Sequence, residues 1–151
     1  MAPLLTLCTT FLLLRGLGWI GVPMLDHWHP ALQGGVACMF LLTASAHWGK
    51  RRPDLVLMVP PGLPYKEGIV TWTGVLEIAG AIGILIPGTA WLASSGLLLM
   101  LLLMFPANAY AARKKMSIHG KPVWPFWPRL MLQLIFIAAV ILASPLFLEG
   151  A

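Results

Sequence analysis

Long apolar runs, broken by short polar and proline-rich connections, dominate this chain. Five such segments stand out, at about 3–25, 31–48, 68–86, 90–110 and 129–147. Each reaches or approaches the roughly 20 residues that carry a helix across a bilayer. Backbone polar groups cannot stay unpaired in lipid, so each run is predicted to be a helix. The pattern therefore predicts an all-α, polytopic integral membrane bundle with five spans. The second segment is the shortest and is rich in small residues. The first lacks a basic leader and a small-residue cleavage site, and its only charge, Arg15, is central. It is read as a retained helix rather than a signal peptide. The stretch 53–59 is too short to span. It is expected to lie on, or re-enter, one face, ended by Pro60-Pro61-Gly62.

Composition agrees with this class. The chain is 59% hydrophobic and 10% charged, where a soluble domain carries about 25% charged residues. Its mean hydropathy is +0.85. Its 151 residues suit one membrane domain and no more. Cys8 and Cys38 both fall in apolar segments with no C-x-x-C pair. They are expected to be small buried hydrophobes, not a disulfide scaffold or a dithiol relay.

The net charge of +5 does not indicate a nucleic-acid partner, because the basic residues sit in two loops without a recognition helix or an aromatic platform. One loop carries Lys50, Arg51, Arg52 and Lys66; the other carries Arg113, Lys114, Lys115, Lys121 and Arg129. Five spans put both loops on the same side. The positive-inside rule then places the N-terminus and the basic loops in the cytoplasm and the C-terminus, with Glu149, outside the inner (plasma) membrane. Trp28, Trp48, Trp72, Trp91, Trp124 and Trp127 fall near predicted helix ends and read as aromatic belts.

Two charges lie well inside these segments, Arg15 and Glu77. A charge at mid-bilayer costs roughly 2.5–3.5 kcal/mol on insertion scales and is usually paired or functional. At about 1.5 Å per residue, Arg15 lies roughly 18 Å and Glu77 roughly 14 Å from the cytoplasmic ends of their helices. An Arg15–Glu77 ion pair is expected, either fixing helix order or serving function. Thr73, Gly74, Gly80 and Ala81 flank Glu77 one turn away and favour a close neighbouring helix. His47 closes the second segment with Thr43 and Phe40 on its face, as a cap or as a catalyst. Pro106 is expected to kink the fourth segment, and Asn108 either satisfies freed backbone groups or faces a ligand. The Asp26-His27-Trp28-His29 run lacks an evident third ligand, so no metal site is assigned. His119 reads as a solvated loop residue. Hydrolase, nucleotide-binding and zinc-protease motifs are absent from the sequence.

Read in order, several strings form a pattern. They are Ala46-His47-Trp48, Arg51-Arg52-Pro53-Asp54, Met58-Val59-Pro60-Pro61 and Leu63-Pro64. Then follow Thr73-Gly74-Val75-Leu76-Glu77, Gly83-Ile84-Leu85-Ile86-Pro87 and Phe105-Pro106-Ala107-Asn108. Over about residues 34–147 the chain resembles the DoxX and DoxX-like family. The resemblance implies a four-helix core at 31–148, with residues 1–30 an added helix and outer loop. It also implies His47, Glu77 and Asn108 as site residues. The family is linked to thiosulfate:quinone oxidoreduction, to redox complexes and to assembly of membrane proteins.

Three functions follow as expectations. In the first, the protein is an oxidoreductase-associated subunit binding a lipophilic redox partner such as a quinone. Glu77 and His47 would be catalytic, and Arg15, Asn108 and Thr73 would be ligand-binding. The second is a non-catalytic membrane subunit or assembly factor with a membrane protein partner. The third is an acid–base enzyme acting on an isoprenoid-type lipid.

Overall fold

The computed structural model describes residues 2–115, 117–118, 120–122 and 124–145. Six α-helices account for most of them: α1 (Ala2–Trp19), α2 (Trp28–Ser45), α3 (Arg52–Met58), α4 (Lys66–Gly83), α5 (Ala90–Arg113) and α6 (Phe126–Ala143). A single 3-10 turn at Pro23–Leu25 joins α1 to α2. Between α5 and α6, Ser117–Ile118 (β1) pairs antiparallel with Lys121–Pro122 (β2). Gly120 takes the positive φ of 72° that this tight connection needs. His119 lies outside the described residues, as do the last residues of the expected core.

Proline sets several helix starts. Pro53 opens α3, and Pro30 and Pro128 sit in the first turns of α2 and α6, where a missing N–H costs nothing. Pro106 lies inside α5, which continues as helix to Arg113.

Four helices close a ring, with α2 against α4, α4 against α5, α5 against α6, and α6 back against α2. Consecutive members run antiparallel. The end of α2 meets the start of α4 at His47 and Val70, and the start of α5 meets the end of α6 at Ser94 and Ser144. Val36, Met39, Phe40, Ala81, Ile84, Leu97, Leu101, Ala139, Val140 and Ala143 fill the centre. α1 packs outside the ring, on α2 and the turn that follows it. The short α3 caps one end against α4 and α5.

The surface between the two ends is apolar. Leu12 and Leu13 are 66% and 69% exposed, and Leu92, Leu99, Leu102, Leu103 and Ile82 are exposed too. All seven tryptophans, Trp19 included, are exposed near one end or the other. Cys8 and Cys38 also face outward, correcting the expectation that they are buried.

Three helices are long and apolar enough to cross a membrane: Ala2–Trp19, Ala90–Arg113 and Phe126–Ala143. The sequence pattern predicted five. The two that fall short are α2 and α4, and the reason is physical. α2 carries His29, Gln33 and paired glycines, and α4 carries Lys66, Glu67 and Glu77. These are the helices whose inner faces bring polar groups into the bundle.

Candidate functional site

His47 lies two residues past the end of α2, in a turn where its N–H bonds the Ala44 carbonyl at 2.9 Å. Gly74 of α4 makes room for it. A Cβ there would stand 2.7 Å from Trp48 and 2.8 Å from His47. The approach buries His47 and Glu77 to 4% and 3% exposure.

The ring's hydrogen bonds follow from this placement. Nδ1 lies 2.7 Å from the Val70 carbonyl. A carbonyl only accepts, so Nδ1 carries a proton and donates it. Thr73 Oγ1 stands 3.3 Å from the same nitrogen, and its own proton is directed to the Ile69 or Val70 carbonyl. Nε2 then faces Glu77 Oε1 across 3.6 Å. The other carboxyl oxygen, Oε2, accepts from Thr43 Oγ1 at 2.8 Å. The result is a chain running Thr73, His47, Glu77, Thr43 between α4 and α2.

At one edge this chain is loose. A charge-assisted N–H···O bond measures about 2.7–2.9 Å, so the Nε2–Oε1 separation is an ion-pair distance without a direct short hydrogen bond. The pair has two neutral forms with the same proton count, imidazole with carboxylic acid and imidazolium with carboxylate. Interconverting them takes one proton transfer and leaves no net buried charge.

Arg52 fixes the turn that carries His47. One guanidinium nitrogen donates to the His47 carbonyl at 2.8 Å. Another reaches the Thr71 hydroxyl at 2.9 Å and the Glu67 carbonyl at 3.3 Å. From the sequence it was only a loop charge. The available signal was its place five residues after His47, at the first position of α3.

The remaining expected residues lie elsewhere. Arg15 does not pair with Glu77. It sits in the last turns of α1, donates to the Leu25 and Asp26 carbonyls at 2.9 and 2.7 Å, and lies 5.4 Å from the Trp19 ring centre. Those carbonyls belong to the α1–α2 turn, where no helix supplies donors, and a guanidinium satisfies two at once. Asn108 turns to α6, its carbonyl and Oδ1 accepting from Arg129 at 3.0 and 3.1 Å. Gln133, unnoticed in the sequence, donates to the Leu101 carbonyl at 2.6 Å one turn before Pro106. At the opposite end, His29 approaches the Ser144 carbonyl at 3.4 Å and Gln33 donates to that of Ala143 at 3.1 Å. His29 is therefore turned inward, away from exposed Asp26 and His27. Among the described residues no group of three or more His, Cys, Asp or Glu gathers as for a metal.

An apolar exterior around a buried histidine–carboxyl pair defines the class, an all-helical bundle with helices fit to cross a membrane. Within that class the chain belongs to a family described as Domain of unknown function (DUF8561), which residues 36–144 match. The match starts inside α2 and ends just past α6, so it covers the ring of helices and leaves out α1. No curated protein matches the chain, and no solved structure does either. This finding corrects the DoxX resemblance, since the family found is a different one. The misleading strings have general uses in helical bundles: small residues for close packing, and Phe-Pro-Ala-Asn near a helix end.

Proposed function

We propose that this is a multi-pass membrane protein that binds a lipophilic molecule with a hydrogen-bonding head at the His47–Glu77 pair. The observation that carries the reading is the 3.6 Å gap between Nε2 and Oε1, with every other polar atom of the pair engaged. An ionisable pair among membrane helices is by default a functional site, and an open donor–acceptor couple suits a ligand carbonyl or hydroxyl. A quinone is the class that uses both properties, since its carbonyls accept hydrogen bonds and its reduction takes up protons. The pair moves protons and not electrons, so the protein acts as a subunit beside an electron-transferring partner. Arg15 and Asn108 have no part in this site, and Thr73 acts by holding His47.

In this reading all five long helices, α2 and α4 included, cross the bilayer, because α2 and α4 close the same ring as α5 and α6. Nine of the ten Lys and Arg residues lie at the end that carries α3, and the tenth is Arg15. Positive-inside asymmetry then sets that end in the cytoplasm of the inner membrane.

The test is an ultraviolet–visible spectrum, with mass spectrometry of the organic extract, on nanodisc-purified wild type beside Glu77→Gln. A stoichiometric quinone in wild type that is lost from folded Glu77→Gln is the expected result. Phospholipid alone in both samples would favour a second reading, a non-catalytic scaffold subunit. That reading draws on the cross-ties Arg129–Asn108, Gln133–Leu101 and Ser94–Ser144, which lock neighbouring helices.

A further inference from the structure

The basic end is divided into two kinds of cation. Arg52 and Arg129 are spent inside the fold, on His47, Glu67 and Thr71 and on Asn108. Lys50, Arg51, Arg113, Lys114 and Lys115 are exposed, and Lys66 half-buried, their side chains making no hydrogen bond or ion pair to another described residue. Asp54 and Glu67 are the acidic residues of α3 and the first turn of α4, so the cations outnumber them.

Apolar side chains stand outward among these cations. α3 and its C-cap bury Met58 and Val59 but leave Leu57 62% exposed. Past it, Leu63 is exposed and Tyr65 is 89% exposed. Tyr65 holds a left-handed backbone, φ 51°, at the start of α4. That conformation is sterically disfavoured for a non-glycine residue. Arg52 fastens the start of α3 to Glu67 and Thr71, so this face has one fixed orientation.

Exposed aliphatic and tyrosyl side chains beside cations that have no side-chain partner among the described residues match one environment, the headgroup layer of an anionic bilayer. Apolar tips enter the acyl boundary while cations meet phosphate. We infer that α3 and its flanks form an anionic-phospholipid site, with Lys50, Arg51 and Lys66 binding the headgroup phosphates and Leu57, Leu63 and Tyr65 inserted beneath them. The site is independent of the His47–Glu77 reading.

The experiment is native mass spectrometry of bound lipid after reconstitution into equimolar phosphatidylcholine and phosphatidylglycerol. Wild type is compared with Lys50→Gln/Arg51→Gln/Lys66→Gln and with Lys114→Gln/Lys115→Gln. The expected result is several-fold phosphatidylglycerol enrichment on wild type, lost in the first variant and largely kept in the second, with unchanged melting temperatures. No enrichment on wild type would overturn the site, and so would equal enrichment in wild type and the first variant. If the first variant proves unstable, Leu57→Asp serves in its place, and retained enrichment there again overturns the proposal.

Discussion

At the residue scale, the pair between α2 and α4 behaves as one unit. Removing one partner of a buried charged pair costs about 3–5 kcal/mol, because the other is left uncompensated. His47→Leu and Glu77→Leu are each expected to lower thermal stability by that order. The double variant should lose much less than the sum, and thermal unfolding of the four proteins in one detergent measures the coupling. Additive losses would mean that the two groups do not interact. Gly74→Ala tests the same contact from the backbone side. Its new methyl group meets His47 and Trp48 at 2.7–2.8 Å, and overpacking of this kind costs about 1–3 kcal/mol. Gly16→Ala, where nothing lies within 4 Å, is the control expected to be harmless. Arg15→Ala should loosen the α1–α2 turn, seen as faster proteolysis there, and leave the double-variant coupling at the pair unchanged.

At the element scale, polar side chains join neighbouring helices at defined heights. Gln133→Leu removes the donor from the Leu101 carbonyl, near the point where Pro106 already lacks an N–H. The expected loss is about 1 kcal/mol of stability, the net worth of one buried hydrogen bond, and hydrogen exchange should rise in the middle of α5. Helix positions were legible in the sequence, because apolar run length tracks helix length whatever the partners. The hydropathy of α2 and α4 was harder to read. Polar residues there lower the apolar signal, yet their partners lie on other helices and are invisible along the chain. Glu77, His47 and Thr73 were legible as candidates, being polar side chains in apolar runs, and the structure brings them together. Arg15 misled because depth along a helix says nothing about which neighbour it touches, and α1 packs on α2. Asn108 misled for the same reason: Arg129, read only as a loop charge, is its partner.

At the scale of the whole molecule, charge and apolar surface organise one axis. Nine cations and α3 stand at one end, while the turns at 20–27 and 84–89 stand at the other. Lys50→Cys and Gly88→Cys, each in a Cys8→Ala/Cys38→Ala background, report that axis in intact cells. An impermeant maleimide is expected to label Gly88→Cys from outside and Lys50→Cys only after lysis. The reverse pattern would invert the orientation proposed here.

The central claim is that Glu77 and His47 hydrogen-bond a lipophilic head group. The most direct measurement is infrared difference spectroscopy of the nanodisc protein as a short-chain benzoquinone is added. A saturable change in the carboxyl stretching region, present in wild type and Arg15→Ala and absent from folded Glu77→Gln, is the expected result. An identical spectrum in wild type and Glu77→Gln would contradict the claim and leave the pair as a lock between α2 and α4.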